Sequence, residues 1–318
     1  MILTNKYNVP DQIVAKIKAN LKHIPYDMDS YDEVTFRTTE VLGPPLIKHL
    51  WDKYKDTDDL ILDASDFLTV MLGHEIHKMF EGTSTDTVLY EYPVQRTFNY
   101  EGQDVIVFGT IDELEILSDS IRFTDNKTCL MSNLNYAKPE YEEQLNNYLL
   151  LCRNKIRFEN QNLKLRLRYF IKDFTPSKKA NAIARAANPY TLAKAKDMPD
   201  CAIITKNIPI YSEERALEII MRHIADHLET PERPCTFDER WDTANKVAVM
   251  LTGRKSAKKL CSDKIEANTY MVSLSAKDKA KAYLEDRPAK PYERNKNCQY
   301  YCKARSVCPF AKSMGYKI

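Results

Sequence analysis

The sequence predicts an α/β (α+β) fold: a mixed sheet flanked by helices, with a helical segment before it and helices and a cysteine-rich tail after it. Three observations lead there. Two strand-like runs, Asp104–Leu117 and Ile121–Thr128, are separated by a short polar turn at Ser118–Ser120. Helical periodicity brackets them, over Asp63–Glu81 before and Pro139–Arg153 after. At the far end, Cys298, Cys302 and Cys308 crowd into eleven residues.

The chain has 318 residues, 43% of them apolar, enough for one large domain or two modest ones. It has only seven glycines, and neither a G-x-G-x-x-G nor a G-x-x-x-x-G-K-[ST] run, so a Gly-rich nucleotide cradle is excluded. A net charge of +2 carries no message about partners. Its distribution does: residues 151–196 hold 12 Lys or Arg against two acids. Such a run is a solvated face or a track for a phosphate backbone. The N-terminus lacks the apolar core of a signal peptide, and no apolar run has the length of a membrane span. A cytoplasmic location without membrane attachment is expected, where eight cysteines are free thiols or metal ligands rather than disulfides.

Taken in order, residues 1–62 read as a helical N-terminal segment broken at Pro10, Pro25 and Gly43-Pro44-Pro45, with a helix over Leu46–Lys55. Residues 63–211 read as the core. Its first helix, Asp63–Glu81, carries an apolar stripe of Leu68, Met71, Leu72, Ile76, Met79 and Phe80, with Asp63 or Ser65 as cap. Gly73 is expected to let that helix approach another backbone closely. Tyr90–Gln95 reads as an edge strand because of Pro93. Lys164–Asp173 alternates as a strand with basic residues on one side, residues 174–200 are a basic insertion of loop and some helix, and Ala202–Tyr211 is a further strand. Residues 212–318 read as helical: one helix starts at Ser212, and others run near Asp238–Leu251, Ser256–Tyr270 and Ala276–Glu285 before the tail.

Chemistry concentrates on the hairpin. Asp125 and Lys127 share one strand face, and Asp112 lies on the partner strand. Two carboxylates and a lysine suit a hard divalent cation held beside a phosphate. His74 and His77 lie close on one helix, and either could add an imidazole. Gln144 and Tyr148, four apart, form a polar pair on the following helix. The three tail cysteines point to a metal or iron–sulfur site that staples the C-terminus. The fourth thiol is to be sought among Cys129, Cys152, Cys201, Cys235 and Cys261. Cys235, in a polar Pro-flanked loop, is favoured, with Cys261 next.

Together these pieces resemble the RecB-like branch of the PD-(D/E)XK nuclease superfamily. The match is Gly73–His77 on a helix, Gly109–Asp112 on a strand, Asp125–Lys127 on the next strand and Gln144–Tyr148 on the helix after it. The tail looks like that of the iron–sulfur members, which include AddB-type and CRISPR-adaptation nucleases. The layout of Pro234-Cys235, Arg240-Trp241 and Tyr301-Cys302 is similar to phage-encoded members, and the resemblance covers roughly residues 65–310.

The resemblance implies a restriction-endonuclease-like αβββαβ core and a Mg²⁺- or Mn²⁺-dependent deoxyribonuclease. It would be an exonuclease on DNA ends or single strands, with a recombination or single-strand-binding protein as partner. His77, Asp112 and Asp125 would hold the metal, with the Asn126 carbonyl as a further donor. Lys127 would position or help deprotonate the water, and Gln144 and Tyr148 would orient Lys127 or the nucleic acid backbone. Cys235, Cys298, Cys302 and Cys308 would hold a [4Fe-4S] cluster or, alternatively, Zn²⁺. Arg166, Arg168, Lys178 and Lys179 in the basic stretch would hold DNA phosphates. No cysteine precedes Cys129, and three residues rather than two separate Cys298 from Cys302, so zinc stays open. A silent DNA-binding protein of this fold would be expected to lose Asp112, Asp125 or Lys127. A zinc-stapled structural or adaptor protein would not need the ordered set.

Overall fold

The computed structural model of the protein describes residues 1–22, 34–80, 82–134, 139–153, 156 and 162–316. The Pro25 break, Glu81 and parts of the 151–196 basic run lie outside the described residues. In chain order the elements are β1 (Ile2–Thr4), α1 (Asp11–Lys22), β2 (Val34–Arg37), α2 (Thr38–Val41), α3 (Pro45–Tyr54), β3 (Ile61–Asp63), α4 (Leu68–Lys78), β4 (Val88–Tyr100), β5 (Gln103–Ile116), β6 (Ser120–Cys129), α5 (Pro139–Cys152), β7 (Asn162–Ile171), α6 (Pro176–Ala184), α7 (Pro189–Lys196), β8 (Ile203–Ile208), α8 (Glu213–Glu229), β9 (Lys246–Leu251), β10 (Lys259–Cys261), α9 (Lys264–Val272), α10 (Ala276–Lys279), β11 (Ala282–Arg287) and α11 (Pro309–Ser313). The fold is mixed α/β.

Two compact units cut across the three predicted segments. One comprises Leu3–Lys48 and Asp63–Pro231; the other comprises Met1–Ile2, His49–Leu62 and Glu232–Ile318. The larger unit is built on a mixed sheet of order β2-β5-β6-β7-β8, with β4 on the other side of β5. β2 runs parallel to β5, β5 antiparallel to β6, β6 parallel to β7 and β7 antiparallel to β8. Pro93 sits on β4, a sheet edge, where its missing N–H costs no ladder bond.

Alternation sorts the sheet's faces. Leu114, Phe123, Leu165 and Leu167 turn to one side and join α5 and α8 in the main core. α5 opens with Pro139 and the acids Glu140 and Glu142, which suit a helix N-terminus. From Gln144 to Cys152 every residue is buried. It is therefore enclosed by the sheet and α8 rather than showing the single apolar stripe of a surface helix. Asn146 ties it to the link between β8 and α8, donating to the Pro209 carbonyl at 3.0 Å and accepting from the Tyr211 N–H at 2.7 Å.

The predicted helix over 63–81 is corrected. Asp63 ends β3 and caps a short 3₁₀ turn, Ala64–Phe67, before α4 begins. The stripe is corrected as well: Leu68, Leu72 and Met79 are exposed, and no residue of α4 is buried. Phe67, just before α4, and Met71 pack on the small cluster around Val9 and Ile17, and Phe80, just past the helix, stacks on Tyr90 at 5.1 Å. Ser212 caps α8 by accepting the Arg215 N–H, as its sequence suggests.

The smaller unit is not all-helical as expected. A three-stranded antiparallel sheet of order β10-β9-β11 packs against α9 around Val247, Val249 and Cys261. The run KVAVML was open to either reading by length, and its β-branched residues decide for strand. Among the described residues no helix is long and apolar enough to cross a membrane.

Close approach occurs at Gly109 and not at Gly73. A Cβ on Gly109 would lie 2.7 Å from Tyr148 Cε1 and 2.9 Å from Thr38 Oγ1, whereas nothing lies within 4 Å of one on Gly73. Gly109→Ala is therefore expected to destabilise the fold by about 1–3 kcal/mol through overpacking. Gly73→Ala, in an exposed helix, should stabilise it by up to ~1 kcal/mol. Urea unfolding of both variants checks this contrast; equal effects would contradict it.

Candidate metal centre and four-thiol group

Asp112 and Asp125 meet where the β5–β6 ladder stops. Backbone pairing ends at Glu113↔Thr124, and Asp112 and Asp125 occupy the next register position. There the Asn126 N–H turns to the Asp112 carboxylate, at 2.6 Å from Oδ2. On the other side of β5 the β4 ladder passes from Tyr90↔Glu113 to Tyr92↔Ile111, skipping Glu91 opposite Asp112. Glu91 has φ +50°, a left-handed conformation that costs a non-glycine residue about 1–2 kcal/mol. The sheet opens around Asp112 on both sides.

Both aspartates are buried. Burial, reinforced by the Asp125 charge, pushes the Asp112 carboxyl up to about 7. α4 brings His77 to this point, its Nδ1 3.4 Å from Asp112 Oδ1 and 3.1 Å from Glu91 Oε1. The Glu91 hydrogen bond raises the His77 pKa, against burial, which lowers it. Donor atoms of His77, Glu91 and Asp112 all lie within 4.8 Å of one another. An imidazole and two carboxylates in that space fit a divalent cation. His74 is exposed on α4, so of the two histidines it is His77 that joins the group.

Asp125 shares that face and is held from its other side by Lys127 and Gln144. Its Oδ2 is 2.7 Å from Lys127 Nζ, and its Oδ1 accepts from Gln144 Nε2 at 3.2 Å. Gln144 also accepts from Lys127 Nζ at 3.2 Å and donates to the Tyr148 hydroxyl at 3.0 Å. Burial alone would lower the Lys127 pKa, but the adjacent Asp125 outweighs it and holds the ammonium above the ordinary lysine range. Tyr148 is raised by burial, then by Asp125, and stays a neutral phenol. Lys127 Nζ also lies 4.9 Å from the Tyr141 ring centroid.

Glu91 was missed in the sequence. The available signal was a glutamate, disfavoured in strands, between Tyr90 and Tyr92.

The basic residues need a correction. Arg166 and Arg168 project from the opposite face of the sheet to Asp125 and Lys127. There Arg168 grips Glu113 in a two-pronged pair at 2.7 Å per contact, and Arg166 meets Glu113, Glu115 and Thr124. These guanidiniums are engaged by buried Glu113 and half-buried Glu115 on that face. Lys178 and Lys179 pair with Asp173 and Asp200, at 2.9 and 2.6 Å. Such surface pairs are weak, and a phosphate can displace them.

In the smaller unit Cys235 comes together with Cys298, Cys302 and Cys308. Burial, Glu239 and then these three thiols push Cys235 up to about 12. Burial, Cys302 and Cys308 push Cys298 up to about 11. A cysteine group in which burial and neighbouring thiols raise Cys235 and Cys298 is a donor set that a cationic centre would stabilise as thiolates. Arg240 organises the approach: it donates to the Cys235 carbonyl and, at 2.9 Å, to Asn295 Oδ1, and it lies 5.0 Å from the Phe310 ring centroid. The other candidates are placed elsewhere: Cys152 in the main core, Cys261 on β10, Cys129 at the end of β6 and Cys201 exposed.

No family model matches the chain, and no curated protein matches it. Among solved structures, the crystal structure of SSO0001 is similar at 17% identity and a TM-score of 0.44, over 68% of this chain and 83% of that one. A likeness at that score carries no weight for fold or function.

Protons and metal compete for the same donors. Asp112, raised, and His77, raised, must both shed protons to bind a cation, so Mn²⁺ affinity should climb as pH rises from about 6 to 8. Glu91→Gln should weaken Mn²⁺ binding about tenfold while leaving the fold intact. Calorimetric titration with Mn²⁺ checks both; a flat pH profile, or parent-like affinity in the variant, counts against the donor set.

Proposed function

We propose that this chain is a divalent-metal-dependent deoxyribonuclease with the restriction-endonuclease-like core of the RecB-like PD-(D/E)XK branch, acting as an exonuclease on DNA ends or single strands. One observation carries the reading: Asp112, Asp125, Lys127 and Gln144 converge at the opening between β5 and β6, with His77 and Glu91 beside them. The α–β–β–β–α–β order of α4, β4, β5, β6, α5 and β7 agrees with it.

His77, Asp112 and Asp125 would hold Mg²⁺ or Mn²⁺, and Glu91 adds a donor that the resemblance does not supply. A cation bound there withdraws charge from a phosphoryl oxygen and makes a bound water more acidic. Lys127 stays protonated beside Asp125, so it orients the water and balances charge developing on the phosphate rather than removing a proton. Gln144 uses its carbonyl on Lys127 and its amide on Asp125 and Tyr148, which fixes the ammonium's direction. Tyr148 in turn is seated by the absence of a side chain at Gly109. DNA phosphates would meet Lys178 and Lys179 rather than Arg166 and Arg168.

In the smaller unit, Cys235, Cys298, Cys302 and Cys308 would hold a [4Fe-4S] cluster, with Zn²⁺ as the alternative. The site would tie the loop after α8 to the tail.

Linear DNA incubated with Mn²⁺ or Mg²⁺ should be degraded, and EDTA should stop it. Asp125→Ala and Lys127→Ala should each lower the rate at least ~10³-fold while DNA binding persists. Normal cleavage by both variants would sink the assignment. Protein purified anaerobically should be brown with visible absorbance that Cys235→Ser abolishes; a colourless protein carrying one zinc would decide for the alternative.

A further inference from the structure

The smaller unit carries a surface that the metal centre does not use. A single π-helical turn, Asn297–Tyr301, contains Cys298, ends on Tyr300 and Tyr301 and is followed by Cys302. Trp241 meets them: its ring centroid is 5.3 Å from that of Tyr301, at 51°, and Tyr301 meets Tyr300 edge-on at 6.3 Å. The three rings are 43, 68 and 48% exposed for Trp241, Tyr301 and Tyr300, so a large share of their area is accessible to a ligand. Aromatic area of this size is ordinarily buried, because burial stabilises each ring by a few kcal/mol.

The backbone holds the rings outward. Trp241 has φ +50° and Asn295 φ +43°. The Trp241 N–H donates to the Asp238 carbonyl at 2.8 Å, its carbonyl accepts the Lys296 N–H at 3.3 Å, and the Arg240 carbonyl accepts the Asn297 N–H at 3.0 Å. Buried Asn295 accepts from Arg240 and donates to the Tyr316 hydroxyl at 3.0 Å. The two halves of the surface, residues 240–242 and 295–301, are thus stapled together beside the thiols. The two stretches that carry the rings, residues 233–242 and 290–305, hold seven Lys or Arg against four acids, and two of those acids, Glu239 and Asp242, are already paired with Arg233 and Arg294.

We propose that Trp241, Tyr300 and Tyr301 form a stacking platform for the bases of single-stranded nucleic acid, with Lys290, Lys296 and Lys303 meeting its phosphates. This rests on the nuclease reading and sharpens its substrate to an unpaired strand. Only unpaired bases can offer their faces to aromatic side chains, and rings interleaved with cations are what a flexible polyanion needs. A protein partner would use the aromatic area but not the excess of positive charge.

The test uses full-length protein carrying its thiol-bound metal, with Asp125→Ala to prevent cleavage, and a 20-mer of deoxythymidylate as probe. The chain has two tryptophans, and Lys303 Nζ lies 4.4 Å from the Trp51 ring centroid, so Trp51→Phe, which keeps an aromatic ring under that ammonium, leaves Trp241 as sole reporter. Its fluorescence should be quenched on binding. Trp241→Ala and Tyr301→Ala should each weaken binding about tenfold, whereas Trp241→Phe should stay within about twofold. Binding of a blunt 20-base-pair duplex should be unchanged by all three, and metal content should equal the parent's. The proposal is overturned if the alanine variants bind the oligonucleotide like the parent, if quenching is absent, or if duplex binding falls equally. Cleavage of linear DNA by the unsubstituted protein is scored separately. Cleavage with no effect of Trp241→Ala removes the platform and leaves the nuclease. Loss of strand binding in Trp241→Ala without any cleavage does the reverse.

Discussion

Two like charges held together inside the sheet set the terms for the larger unit. Asp112 and Asp125 occupy the register position at which β5 and β6 stop pairing, and both are buried. Two carboxylates in that setting repel each other and lose hydration, so the site favours a proton or a cation between them. Everything near them answers that demand. The Asn126 amide and His77 serve Asp112, and the Lys127 ammonium and the Gln144 amide serve Asp125. Glu91 adds a further acid at the cost of a strained backbone, which a protein satisfied by Lys127 alone would not need.

The sheet keeps this demand on one face by settling a second set of charges on the other. Glu113 and Glu115 alternate with Asp112 along β5; Glu113 is met by Arg166 and Arg168 of β7, and Glu115 by Arg122 of β6 and Arg166. A strand that carries acids on both faces must neutralise each separately. Lysine, a compact point charge, serves the face of Asp112 and Asp125, and arginine serves the face where a fixed two-pronged pair closes off buried Glu113. The same period-two geometry that brings Asp125 and Lys127 together thus removes Arg166 and Arg168 from them.

In the smaller unit the organising contact is Arg240, which reaches the Cys235 carbonyl, Asn295 and the Phe310 ring. It joins two stretches of chain about sixty residues apart, one carrying Cys235 and the other Cys298, Cys302 and Cys308. With thiolates neutralised by a bound centre, the same assembly becomes a rigid base for the aromatic residues that flank Cys302 and Arg240.

The sequence by itself determined the strands and helices with clear periodicity: the hairpin of β5 and β6, β7, α5, and α8 with its Ser212 cap. It also brought Asp112, Asp125, Lys127, Gln144 and Tyr148 to notice, because spacings of two and four place side chains on shared faces whatever surrounds them. Cys235 is favoured by its loop, and His77 is singled out over His74 only by the resemblance; what each of them meets depends on distant chain. The tertiary structure alone decided the rest. It replaced expected helices with β9, β10 and β11, left Leu68 and Leu72 of α4 exposed, moved the close approach from Gly73 to Gly109, and brought Glu91 to His77. These outcomes are set by which strand or helix lies alongside. Local pattern fixes the direction of a side chain relative to its own backbone; only the packed fold supplies what it meets there.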